Sequence, residues 1–194
     1  MQLGADMRVD LEALPTSTAI GLTASFVGAA IATLPVRLAL ERPADDPGAG
    51  AGEAKLDLYA DGSSVFVSGT VKGWLEVACS RCLGPARVPI EETLRVTYLP
   101  QAEVPHDLED AEGGDAGSVE AGQDALDVYG YDGEIIDLEP LLREQVVLSV
   151  PYAPLCKEDC RGLCPGCGVD RNATPCACAP PLDPRFAVLK SLKV

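Results

Sequence analysis

The chain is 194 residues long and carries a formal net charge of −15, with thirty Asp and Glu against fifteen Lys and Arg. Such a surplus excludes a general electrostatic grip on nucleic acid, which needs cations massed on one face. Apolar residues, at 47%, suffice for the core of a single domain over 1–194, while 5% aromatics with 19 Gly and 16 Pro point to a turn-rich fold.

The start, MQLGADMRVD, lacks the basic segment and apolar run of a secretory signal, so the expected location is the cytoplasm. MRVDLEAL, residues 7–14, alternates weakly and predicts an opening strand. Leu14 to Val36 carries no charge, yet six Ser/Thr and two Pro interrupt it and no Lys/Arg cluster flanks it, which argues against a membrane span. Within the Ala-, Thr- and Val-rich stretch Ile20 to Leu40, one or two buried strands are expected, with a helix as the alternative. RPADDPGAGAGEA, residues 42–54, reads as a turn or loop.

The next stretch is more regular. Asp61-Gly62 lies between two alternating runs and signals a β-hairpin. Val65, Val67, Gly69 and Val71 share one face of its second strand. After a cysteine pair, Leu94, Val96 and Tyr98 alternate with Thr93, Arg95 and Thr97, as in an antiparallel strand with one wet face.

Charge then becomes local. Fourteen acidic residues lie between Gln101 and Glu144, with Arg143 the one base among them, whereas 157–194 holds six basic and four acidic residues. The insert 101–127 has too little apolar surface to offset its ordering entropy and reads as a flexible acidic loop. A second reading is that it mimics a nucleic-acid backbone and occupies a basic partner. His106, the one histidine, falls in this insert and reads as a solvated loop residue rather than a ligand.

Beyond the insert, Leu138, Leu141, Leu142 and Val146 fall on one helical face, with Asp137 as cap, Pro140 in the first turn and Pro151 beyond the end. Asp183 and Pro184 predict a short terminal helix that docks through Phe186 and Leu189. The expected class is α+β: a mostly antiparallel sheet, one or two short helices and a cysteine-rich zinc-knuckle tail.

All eight cysteines fall in close pairs: Cys79/Cys82, Cys156/Cys160, Cys164/Cys167 and Cys176/Cys178. Pairs two to four residues apart let one turn present two thiolates, and a structural zinc takes four, so the eight suit one or two ions, with 154–180 as the main metal-binding segment. Only eight residues separate Cys167 from Cys176, so Cys164, Cys167, Cys176 and Cys178 close a local site at small entropic cost. Cys79, Cys82, Cys156 and Cys160 then make the other. The competing arrangement is a two-knuckle ribbon in which Cys164/Cys167 replaces part of the second set. Disulfides need an oxidising compartment for which nothing speaks. Iron–sulfur chemistry also uses four thiolates, and Cys160, Cys164 and Cys167 have the spacing of the enzymes that cleave S-adenosylmethionine, but only 27 residues follow Cys167. A redox role for Cys79/Cys82 wants the pair at a helix start, and the flanks read as strand and turn. No acid–base constellation points to an enzyme, and closed all-thiolate sites are structural.

CSRCLGP (79–85), DLEPLLREQVVLSVP (137–151), PLCKEDCRGLCPGCG (154–168) and DPRFAVLKSL (183–192), in this order, resemble the YceD-like family, whose members are called large ribosomal RNA subunit accumulation proteins or a domain of unknown function. The resemblance runs from about Ser68 to the C-terminus. MRVDL near the start also looks like family openings, while Leu14 to Leu40 is the least typical part. It implies a soluble, non-enzymatic ribosome-biogenesis factor for accumulation or processing of large-subunit ribosomal RNA. The partner would be the large-subunit precursor, through its RNA or a ribosomal protein, and not membrane or DNA. Lys157, Arg161 and Arg171 are the candidate RNA contacts, with Arg185, Lys190 and Lys193 beyond them; the plainer role for all six is to neutralise tetrathiolate zinc. The alternative function is a thiol-redox or metal-handling protein built on the same cysteines.

Overall fold

The computed structural model describes residues 7–34, 47–104 and 127–178. Its elements are strands β1 (Arg8–Asp10) and β2 (Ser17–Leu22), helix α1 (Ala24–Ile31), strands β3 (Gly50–Asp61), β4 (Ser64–Ala78), β5 (Pro85–Pro100), β6 (Val128–Tyr131) and β7 (Ile135–Asp137), and helix α2 (Glu139–Leu148). Five strands form one sheet in the order β2-β3-β4-β5-β6, antiparallel except for the β5–β6 pair, and β1 pairs with β7 in a separate two-stranded ribbon. This is the expected α+β class.

The hairpin forms where Asp61-Gly62 places it. Asp61 pairs with Ser64 across a two-residue turn, and Gly62 takes the left-handed conformation, φ +61°, that such turns require. Val65, Val67 and Val71 are buried on one face of β4, and Leu94, Val96 and Tyr98 on the same side of β5, so alternation selects the core face as read. That face packs with Val27 and Ala30 of α1, Leu141, Leu142 and Val146 of α2, and Val9 and Ile136 of the ribbon into one buried cluster. The opposite face of the sheet is wet, with Lys55, Lys72 and Arg95 among its residues.

Three expectations are refined. Residues 20–34 hold a strand end and then a helix, because the Thr23 hydroxyl accepts the Phe26 N–H at 3.3 Å and caps α1. Residues 35–46 lie outside the described residues. The segment 50–54, read as loop, is the start of β3. Its glycines serve close approach rather than turning: Gly52 faces Gly73 of β4, where a Cβ would stand 2.6 Å from the Gly52 Cα and 2.4 Å from the Ala51 carbonyl oxygen. At the other helix, the N-cap position is Leu138, while the Asp137 carboxylate accepts the Glu139 N–H at 2.9 Å from one residue further out. The terminal helix predicted after Asp183, the whole of 179–194, His106 and nearly all of the acidic insert lie outside the described residues. Among those described, no helix is long and apolar enough to cross a membrane.

Candidate metal centre

Strand β4 runs directly into Cys79, and Cys82 precedes β5 by three residues, so a long hairpin presents the first pair at its far end. The turn is closed by the Leu83 N–H on the Cys79 carbonyl at 2.9 Å and the Cys79 N–H on the Gly84 carbonyl at 2.8 Å. The Arg81 N–H points at the Cys79 sulfur at 3.5 Å. The same turn recurs in the tail. Gly168 N–H reaches the Cys164 carbonyl at 2.8 Å, Cys164 N–H the Val169 carbonyl at 2.8 Å, and Gly166 N–H the Cys164 sulfur at 3.4 Å. In both, the residue after the second cysteine is left-handed, Gly168 at φ +73° and Leu83 at φ +61°.

The tail is brought to the hairpin by α2. After the helix ends, the Pro154 carbonyl accepts the Ser80 N–H at 2.8 Å, and Cys156 and Cys160 follow on a turn closed by Cys160 N–H on the Lys157 carbonyl. Arg81 clamps this turn twice: its Nη1 donates to the Cys160 carbonyl at 2.9 Å, and its own carbonyl accepts the Leu163 N–H at 3.0 Å.

Two groups of four sulfurs result, Cys79, Cys82, Cys156 and Cys160 (proximal) and Cys164, Cys167, Cys176 and Cys178 (distal), each with all four ligand atoms within 4.8 Å of one another. These are the two sets that short loop closure favours; the two-knuckle ribbon is not what the chain adopts. All eight cysteines are free thiols. Sulfur separations of 3.8 Å (Cys79–Cys160), 3.6 Å (Cys82–Cys156) and 3.6 Å (Cys167–Cys176) match the edge of a tetrahedron with metal–sulfur bonds of about 2.3 Å, about 3.8 Å. Cys164 and Cys176 stand closer, at 3.2 Å. The donor set fits a tetrahedral ion.

Electrostatics prepare both sites. Burial pushes the Cys79 thiol up, but the backbone N–H groups of Cys82, Arg81 and Cys156 outweigh it and bring the thiol down to about 6. Cys164 is likewise lowered to about 6, first by the backbone N–H of Cys167. Cys178 is pushed up to about 12 by hydrogen bonding with the Cys176, Cys167 and Cys164 sulfurs. One thiolate therefore forms readily in each group, and the mutual repulsion of four makes full ionisation depend on a cation among them.

The chain matches the family model described as "Large ribosomal RNA subunit accumulation protein YceD" over residues 67–193. It belongs to the YceD family. The match opens in β4 and takes in both sulfur groups, while β1, β2, α1 and β3 precede it. Uncharacterized proteins of Mycobacterium tuberculosis and Mycobacterium bovis are each 34% identical over 158 residues, 80% of this chain and 68% of the relative. An uncharacterized protein of Mycobacterium leprae is 31% identical over 139 residues, 71% of this chain and 58% of the relative. No solved structure matches the chain. The family description names accumulation of an RNA rather than a reaction.

Two further residues belong to this YceD-family site. Asn172, in the distal loop, donates its side-chain amide to the proximal Cys160 sulfur at 3.3 Å and accepts the Arg161 N–H at 2.9 Å, so it links the two groups. Arg81 acts through the contacts above. Nothing in the spacing marks Asn172, since the sequence shows a polar residue in a turn and not what it reaches. Outer partners of metal ligands typically contribute tenfold to a hundredfold in affinity. Asn172→Ala is therefore expected to weaken metal binding by the proximal group by about tenfold without abolishing it at saturation, as read by competition with a chromophoric chelator. An unchanged competition curve would show the contact to be incidental.

Proposed function

We propose that this chain is a non-enzymatic ribosome-biogenesis factor of the cytoplasm that promotes accumulation or processing of large-subunit ribosomal RNA by binding the precursor particle. Membership of the YceD family over 67–193 is the observation that carries this reading. Zinc is the ion proposed for both sulfur groups. Four thiolates at tetrahedral spacing leave no open position for water or substrate, which is the form of a structural site. Each filled site would carry a charge of about −2, which Lys157, Arg161 and Arg171 offset. The same three cations would supply phosphate contacts with precursor RNA; of them Lys157 already lies 4.0 Å from Asp159. Neither membrane nor DNA is a partner in this reading.

The test is a sucrose-gradient profile of cells depleted of the protein, probed for large-subunit precursors. The expected result is a deficit of large subunits with precursor RNA accumulating. An unchanged profile would remove this reading and promote the alternative, a thiol-redox or metal-handling protein, which the low thiol values of Cys79 and Cys164 would then serve. Rapid, reversible labelling of thiols in the zinc-loaded protein would mark that alternative.

A further inference from the structure

Away from the sulfur groups, the wet face of the sheet carries two exposed rings. Tyr59 of β3 and Phe66 of β4 are register partners near the hairpin turn, 66% and 45% exposed, with ring centres 6.3 Å apart. Cross-strand aromatic pairing explains why the rings touch, but not what stands beside them. Phe66 lines a hollow of about 640 Å³ together with Ser68, Arg95, Thr97 and Asp127, a volume in the range of small-ligand sites. Strand register fixes its wall: Phe66 pairs with Thr97 and Ser68 with Arg95, while the Thr97 N–H donates to the Asp127 carbonyl at 2.8 Å. Arg95 and Asp127 are both exposed, and neither makes an ion pair with any described residue. Elsewhere on this face charges cancel locally, Lys55 with Glu53 at 3.4 Å and Lys72 with Glu91 at 3.6 Å. One guanidinium fork and one carboxylate therefore stand unpaired beside an aromatic surface.

We infer that this hollow takes an unpaired guanine of a single-stranded RNA segment. An exposed ring offers a stacking surface to any base. The fork and the carboxylate choose among them. Guanine alone of the four RNA bases presents two adjacent acceptors, O6 and N7, to an arginine and two adjacent donors, N1–H and N2–H, to a carboxylate. A base held by stacking and hydrogen bonds needs no surplus of cations, so this contact suits a chain that lacks a general electrostatic grip on nucleic acid. RNA is favoured over a free nucleotide by the lining and by its neighbour. Arg95 is the single cation among the lining residues and is committed to the base edge, which leaves none for a terminal phosphate, and Tyr59 extends the stack to an adjoining base. The inference deepens the reading of the chain as a factor acting on large-subunit RNA, and rests on it for the source of that RNA.

The test titrates the full chain with fluorescein-labelled uridine heptamers carrying guanosine, adenosine, cytidine or uridine at the centre, read by fluorescence anisotropy. The guanosine heptamer should bind about tenfold more tightly than the other three. Arg95→Gln and Asp127→Asn should each remove that preference and leave the melting temperature unchanged, since both side chains are exposed. Phe66→Leu, which keeps an apolar side chain in the strand but removes the ring, should weaken all four heptamers by about tenfold. Equal binding of the four heptamers, or a guanosine preference that survives both Arg95→Gln and Asp127→Asn, would overturn the assignment. Guanosine monophosphate binding as tightly as the guanosine heptamer would move the site to a free nucleotide and overturn the RNA assignment. Each of these results leaves the biogenesis reading in place, because the gradient profile of depleted cells decides that reading separately.

Discussion

Cys160→Ser is expected to empty the proximal sulfur group and free residues 154–178 from the hairpin while the sheet stays folded. The proximal group joins Cys79 and Cys82, at the end of the β4–β5 hairpin, to Cys156 and Cys160, more than seventy residues later in the chain. Without an ion, the tail is held there by the clamp at Arg81 and the Ser80–Pro154 hydrogen bond, which contribute about 1 kcal/mol each. Structural zinc in small finger peptides binds with an apparent 10–16 kcal/mol at about pH 7, and loss of a bound metal is among the few changes able to exceed about 4 kcal/mol. The sheet has its own core, reaching from Ile20 to Val146 across both helices, so the loss should fall on the tail. Under the proposed zinc reading, bound metal should drop from two ions to one per chain. Amide exchange in 160–171 should accelerate by about a thousandfold, the equivalent of about 4 kcal/mol of local stability. Cys176→Ser provides the contrast: it should remove the distal ion and leave the hairpin and the proximal group intact. A Cys160→Ser protein that kept two ions and an ordered tail would show that the proximal sulfurs are not ligands.

Much of this organisation is local, and local signals are the ones a sequence exposes. The Asp61-Gly62 turn, the alternation of Val65, Val67 and Val71, and the helical face of Leu138, Leu141, Leu142 and Val146 each depend on neighbours within a few residues. The sulfur grouping was legible for a related reason, because closing Cys167 to Cys176 costs little and the remaining four have one another as partners. Tertiary pairing stayed hidden. Arg8 of β1 faces Asp137 of β7, and Thr97 of β5 runs parallel to Val128 of β6, and no short window encodes either. Glycine misled at Gly50 to Ala54, since the residue that permits a turn also permits two strands to touch, as Gly52 and Gly73 do. At Leu83 the opposite holds: a leucine gives no hint of a left-handed backbone, and only comparison with the Gly168 turn reveals it.

Leu142→Ala should produce the second large effect, this time on the core and not on the metal. Leu142 is fully buried in α2 within the larger apolar cluster, and α2 lies against α1, where Arg143 stands 5.7 Å from the centre of the Phe26 ring. Truncating a leucine in such a place costs about 2–5 kcal/mol, toward the upper end where rigid neighbours cannot close the cavity. Here the cavity would open within the cluster that α2 shares with α1 and with long paired strands whose registers are fixed by hydrogen bonds, so collapse is hindered. The expected loss is about 3–5 kcal/mol, lowering the melting temperature by about 10 °C for a chain of this size. Leu148→Ala at the end of the same helix, where the side chain is 65% exposed, should change it by no more than about 0.5 kcal/mol. Under the proposed zinc reading, metal stoichiometry should stay at two in both variants, because no sulfur is moved. That separates the core from the staple: Cys160→Ser lowers metal content and loosens the tail with the sheet intact, and Leu142→Ala lowers global stability with the metal intact. A Leu142→Ala protein that melted within about 1 kcal/mol of the unaltered chain would mean that α2 does not seal the sheet. The helix would then be only a tether between the sheet and the knuckles, and placement of the tail would depend on the proximal sulfurs with the Arg81 clamp and the Ser80–Pro154 hydrogen bond.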